Sequence, residues 1–294
     1  MITGNLLWVL VGTMLLGIAS GMIGSYAYLQ KQSLVGDAAS HAALPGIAIA
    51  FMMTGQKTLP ILMLGAAITS ALAVYCIQFI IRYSKLKADA SIGLVLSVFF
   101  GFGIVLLTTI NKNGNGNQSG LNDFIFGKAA IMTSHDLVWL LVTACLILLI
   151  SLVLYKEWKL IIFDPQYARN IGLPVEWLRM VLTGLVVLTI VTGIQAVGVI
   201  LMSAMLIVPA VTARLWTFRL STMLTFSAVI GGFAGAGGTY ISSLRAGLST
   251  GPIIVLLAAV IFFFSYMISP EKGLWSRYKR RKVFQEDGIH EVQK

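Results

Sequence analysis

The chain has 294 residues, 57% of them hydrophobic and only 11% charged, with a mean hydropathy of +0.89 and a formal net charge of +10. A soluble chain carries about 25% charged residues, so this composition excludes a water-soluble enzyme or binding module. It defines an all-α, polytopic membrane protein.

About 20 apolar residues span a bilayer core as a helix. That ruler places candidate spans near 5–25, 33–53, 59–82, 91–110, 136–155, 178–194, 197–216, 223–243 and 252–269, which makes about nine. The first run, 6–22, lacks the basic flank of a signal peptide and reads as a retained span. Gly17 and Gly21 within it, like Gly231 and Gly235 later, have the G-x-x-x-G spacing that lets helices approach closely. Cys76 and Cys145 stand singly in apolar segments, against a disulfide framework or thiolate metal site, and read as packing residues.

The second span, SLVGDAASHAALPGIAIAF (33–51), carries Asp37, His41 and Pro45. Positions i and i+4 share one helical face, so Ser33, Asp37, His41 and roughly Leu44 and Ala48 form a stripe that starts polar and turns apolar. An ionisable group at membrane depth costs about 2.5–3.5 kcal/mol on insertion scales and usually faces a water-filled path or a partner. Pro45 removes the hydrogen bond to the carbonyl four residues earlier, which belongs to His41. A carboxylate, an imidazole and a freed carbonyl thus converge. That oxygen and nitrogen set suits Mn(II), Fe(II) or Zn(II) better than Cu(I), and two copies meeting on a twofold axis would double it. The bland alternative is a mutual Asp37–His41 hydrogen bond that only orients the helix.

The loop 111–123, NKNGNGNQSGLND, is rich in Gly and Asn and reads as flexible. In TSHD, 133–136, Thr133 or Ser134 can cap the next helix, and His135 reads as a solvated loop residue. The segment 156–178, KEWKLIIFDPQYARNIGLPVEWL, carries a helix of its own. Asp164 is its N-cap, Pro165 its first residue, Gly172 its left-handed C-terminal cap, and Pro174 stops it. A helix of two turns, 165–171, is marginal alone in water. It lies either on the protein's own cytoplasmic face or in a separate soluble subunit. Farther on, Pro209 frees the carbonyl of Met205 and marks a kink, a hinge or a pore-lining turn.

Lys and Arg in short loops favour the cytoplasm. An outside N-terminus and a cytoplasmic C-terminus place 17 of the 21 basic residues inside. The net charge therefore needs no nucleic acid to explain it. Residues 271–294 form a basic tail whose cluster Arg277, Lys279, Arg280, Arg281 and Lys282 suits anionic headgroups. No phosphate-binding loop or H-E-x-x-H motif occurs, and His41, His135 and His290 are scattered. Nothing in the chain itself can power transport, so energy, if it is used, must come from an ion gradient or another protein.

Four segments together, 33–51, GLVLSVFFGFGIVLL (93–107), FDPQYARNIGLP (163–174) and AVGVILMSAMLIVPAVTAR (196–214), resemble the permease subunits of bacterial ABC importers for manganese, zinc and iron, the metal-ion ABC-3 family. The likeness covers residues 5–270, a transmembrane permease domain of 1–270. It implies a homodimeric pore in the plasma membrane and a cytoplasmic ABC ATPase that uses ATP. It also implies an extracytoplasmic metal-binding lipoprotein or periplasmic protein. No cofactor is held permanently; manganese first, then zinc or iron, is the cargo. By the same resemblance, 163–174 is the coupling helix, with Asp164, Ala168 and Gly172 at the ATPase. The alternatives are a proton-coupled secondary metal transporter and an ABC permease for chelated iron. An intramembrane hydrolase is disfavoured because Ser40 points about 100° around a helix from His41.

Overall fold

In a bilayer every backbone N–H and C=O must be satisfied within the chain, and this sequence answers with helices. The computed structural model describes residues 4–55, 58–113, 134–244, 248–269 and Gly273. Within these lie α1 (Gly4–Leu29), α2 (Ser33–Thr54), α3 (Leu59–Tyr83), α4 (Ala88–Asn113), α5 (Ser134–Val153) and α6 (Tyr155–Phe163). They are followed by α7 (Pro165–Asn170), α8 (Val175–Val197), α9 (Val199–Trp216), α10 (Leu220–Ser243) and α11 (Thr250–Ile268). Residues 114–133, most of the basic tail and the side chains of 134–136 lie outside the described residues, and with them most of the Asn-rich loop, His135 and the 277–282 cluster.

Among the described residues seven helices are long and apolar enough to cross a membrane, and an eighth counts if α5 and α6 are one span bent by 63°. The count of nine is therefore not reached by length and composition. Its ninth member, α9, is a shorter apolar helix. Between α8 and α9 the alternatives of turn or break resolve to a single residue. Gly198, at φ 92° and ψ 160°, occupies a region essentially closed to other residues.

One apolar core takes residues from every helix, most of them from α1, α2, α5, α8 and α9. The helices α3, α4 and α11 lie more peripherally, and they are the least buried spans. The two G-x-x-x-G stretches share one seam, in which Gly17 meets Gly231, Gly21 meets Ser227 and Gly235 meets Thr13: a Cβ built on Gly17 would stand 2.6 Å from the Gly231 carbonyl carbon, and one on Gly21 would stand 2.8 Å from that of Ser227. Ser227 Oγ donates to the Gly21 carbonyl at 2.6 Å, and Thr239 Oγ1 donates to Thr13 Oγ1 at 2.9 Å. The seam between α1 and α10 is thus backbone on backbone, with two hydroxyl stitches. Cys76 is half-buried and packs on the α2–α3–α4 cluster, but Cys145 is exposed on α5, against the packing role expected of it.

Candidate functional site

Asp37 and His41 lie one turn apart on α2, with Oδ1 and Nε2 3.5 Å apart. Their side chains remain 32% and 16% exposed, so both stay accessible. Metal bonds of about 2.1 Å to each atom across that gap would subtend roughly 110° at the ion. The pair can therefore chelate one cation without rearranging the helix. His41 Nδ1 is buried and has no hydrogen-bond partner among the described residues. The imidazole is oriented instead by Phe100 of α4, which meets it edge to face at 4.8 Å and 80°.

The rest of the stripe closes. Leu44 and Ala48, expected to continue a pore-facing path, are 1% and 0% exposed. For Leu44 the reason is α4, whose Gly103 packs on this turn: a Cβ there would lie 2.9 Å from Leu44 Cβ and from Pro45 Cδ. Pro45 sits inside α2 and offers no N–H to the His41 carbonyl, so that oxygen lacks its helical donor. Ser70 Oγ of α3 donates to the Ala39 carbonyl at 2.8 Å and fixes the same turn from the other side. Pro209 is buried within α9, one turn beyond Leu206, whose side chain covers Gly36. Among the described residues no group of three or more His, Cys, Asp or Glu could hold a metal. Among the described residues Asp37 and His41 are thus a pair without a third such side chain beside them.

The segment predicted as a cytoplasmic loop, 156–178, is mostly helical. Besides α7 it contains all but the first residue of α6 and the start of α8. The caps are as the sequence requires. Asp164 Oδ1 accepts from Tyr167 N at 2.9 Å, and Pro165 is the first residue. At the other end Leu173 N donates to the Ala168 carbonyl, Gly172 N donates to that of Arg169, and Gly172 has φ +84°, the Schellman arrangement. The helix ends at Asn170, a residue earlier than expected, with Ile171 as its cap.

Burial sorts the three residues carried over from the resemblance. Asp164 and Gly172 are exposed, but Ala168 is 0% exposed and faces inward. The outward apolar positions are Tyr167 and Ile171, which were not singled out in the sequence. Arg169 and Glu176 pair at 2.8 Å and tie α7 to α8. The whole segment is anchored by Trp158 of α6. Fully buried, it donates through Nε1 to the Leu178 carbonyl at 3.2 Å and meets Tyr26 of α1 at 5.0 Å in a T-shaped contact. Tyr26 in turn donates to the Ser151 carbonyl at 3.3 Å. Three elements, α1, the α5–α6 corner and α8, are thereby joined at one aromatic pair.

A bundle of membrane-crossing helices holding an ionisable pair inside one of them, with a capped helical segment between α6 and α8, defines a multi-pass membrane protein. Residues 3–269 match the model of the ABC 3 transport family, and the chain belongs to that family. It is 50% identical over 270 residues, 92% of its length, to the manganese transport system membrane protein MntC of Bacillus subtilis, of which it spans 62%. It is 43% identical over 283 residues, 95% of each chain, to the zinc transport system membrane protein TroC of Treponema pallidum. Among solved structures it is similar to PsaBC from Streptococcus pneumoniae in complex with Fab, with a TM-score of 0.81, 32% identity, and coverage of 95% of this chain and 96% of that one.

Proposed function

We propose that the chain is the membrane-spanning half of an ATP-driven importer that carries a divalent transition metal, manganese first and then zinc or iron, into the cell. The observation that carries this reading is the Asp37–His41 pair, 3.5 Å apart and still accessible within a membrane-spanning helix. The names of MntC and TroC support manganese or zinc as the cargo.

Two copies meeting on a twofold axis bring two carboxylates and two imidazoles to one ion, with the His41 carbonyl as an auxiliary donor. A site assembled from two half-sites can be dismantled by moving the halves apart, which suits a carrier that must release its cargo. The N-terminus lies outside and the C-terminus in the cytoplasm, so α7 faces a cytoplasmic ABC ATPase. Asp164 and Gly172 shape that helix, Ala168 seats it, and Tyr167 and Ile171 present an apolar surface to the ATPase. An extracytoplasmic metal-binding protein delivers the ion to the opposite face. Pro45 and Pro209 mark the turns where α2 and α9 lack a helical hydrogen bond.

The test is co-purification with the ATPase, then elemental analysis and radiometal uptake for wild type, Asp37→Ala and His41→Ala. Loss of bound metal and uptake in both variants, with normal membrane levels, is expected. Normal uptake by both would overturn the reading.

A further inference from the structure

We infer that a groove between α3 and α8 is a binding site for an anionic phospholipid of the cytoplasmic leaflet. The groove has a volume of about 650 Å³, within the range of ligand sites, roughly 300–1,000 Å³. One face of α3 and one face of α8 form its walls. Tyr75, Phe79 and Tyr83 run along the α3 rim as a ladder, with centroid separations of 6.3 and 4.7 Å. Ala67, Ala71 and Gly184 leave the room between the walls.

Besides the phenol hydroxyls of Tyr75 and Tyr83, two polar side chains in this apolar slot, Arg82 and Gln78, have no hydrogen-bond or ion-pair partner among the described residues. The Arg82 guanidinium is held over the Tyr83 ring at 5.7 Å, which keeps it at the groove's end. Lys85 and Lys87 follow directly; Asp89 is the one nearby acid in sequence. Gln78 lies one helical turn deeper, about 6 Å along the axis, where an amide facing only lipid tails is costly.

A phospholipid presents matching groups in that order. Its phosphate meets Arg82, a glycerol ester carbonyl one turn below accepts from the Gln78 amide, and an acyl chain lies along Phe79, Tyr75 and the small residues beyond. A zwitterionic headgroup would bring its own cation toward Arg82, Lys85 and Lys87. The net negative headgroup is therefore preferred, by about fivefold for one engaged basic residue. The inference rests on the cytoplasmic placement of Arg82 and not on the identity of the transported ion.

The test is native mass spectrometry of the full chain with its ATPase, released from nanodiscs of equal phosphatidylglycerol and phosphatidylethanolamine. Wild type is expected to retain phosphatidylglycerol about fivefold over phosphatidylethanolamine, and Arg82→Gln to bring the ratio to about one. Gly184→Leu should lose both lipids while the protein folds normally, because a Cβ at Gly184 meets nothing within 4 Å. Absent or unselective retention by wild type would overturn the inference. So would unchanged retention in Gly184→Leu, or an efficient cross-link between Tyr75→Cys residues of two copies, which would make the groove an interface between copies.

Discussion

Replacing Gly17 with alanine should separate α1 from α10. The new Cβ would lie 2.6 Å from the Gly231 carbonyl carbon, with the Gly232 nitrogen at 3.1 Å, and backbone cannot rotate away as a side chain can. Carbon atoms rest at about 3.5–4.0 Å, so the helices must part locally by about 1 Å. Overpacking of this kind costs about 1–3 kcal/mol. The same displacement stretches the 2.6 Å bond from Ser227 to Gly21 beyond hydrogen-bond range, a further loss of about 1 kcal/mol. Alanine's better helix propensity returns up to about 1 kcal/mol, leaving about 2 kcal/mol of destabilisation. The control is Gly101→Ala on α4, where a Cβ meets nothing within 4 Å and only the propensity gain remains. Thermal unfolding in mild detergent, followed by loss of monodisperse protein, should place Gly17→Ala roughly 5 °C below wild type and Gly101→Ala at or above it. If Gly17→Ala melts with or above Gly101→Ala, the seam between α1 and α10 is not close-packed backbone.

Trp158→Ala should cost about 3–5 kcal/mol, whereas Trp158→Phe, losing chiefly the bond to the Leu178 carbonyl, should cost about 1 kcal/mol; the same melting assay ranks them. Asp164→Ala removes the N-cap of α7, a loss of about 1 kcal/mol. Gly172→Ala strains the φ of +84° by about 1–2 kcal/mol. Both should weaken ATPase co-purification while leaving membrane insertion intact. Gly103→Ala should push α4 off Leu44 and Pro45 and tilt Phe100 from His41, lowering metal retention with little change in expression. Because carboxylate and imidazole bind metal only when deprotonated, metal bound to the purified complex should fall as the buffer is acidified, measured by elemental analysis across a pH series.

The membrane-crossing helices were legible because a bilayer allows almost no other backbone solution. The caps of α7 were legible because Asp164, Pro165 and Gly172 each act on their own few residues. Asp37 and His41 stood out as ionisable groups in an apolar run, one turn apart. What escaped depends on contacts between distant segments. In α6 the charges of Lys156, Glu157 and Lys159 gave the look of a loop, although Trp158 and Ile161 are both buried. The partner that makes Trp158 an anchor is the carbonyl of Leu178, twenty residues away. Phe100 carries no chemical signal of its own; its importance comes from where α4 crosses α2. The same crossing covers Leu44, which a single helix's periodicity cannot distinguish from a member of an open stripe. The full burial of Ala168 likewise depends on how α7 seats against the rest of the fold, which its own short segment does not reveal.

The seam between α1 and α10 also has a timetable. Gly21 and Ser227 are 206 residues apart, and a ribosome adding about 5–20 residues per second needs roughly 10–40 s to travel between them. Through that interval the first helix waits in the bilayer without the surface it was shaped to meet. Its hydroxyls need not wait unsatisfied: Thr13 can bond the Val9 carbonyl, Ser20 that of Gly17 and Ser25 that of Gly21, all within α1. Such a helix is self-sufficient in lipid and commits late. The last large contact of the N-terminal helix is then made only after most of the chain has been synthesised, so a truncated product would leave its glycine face bare.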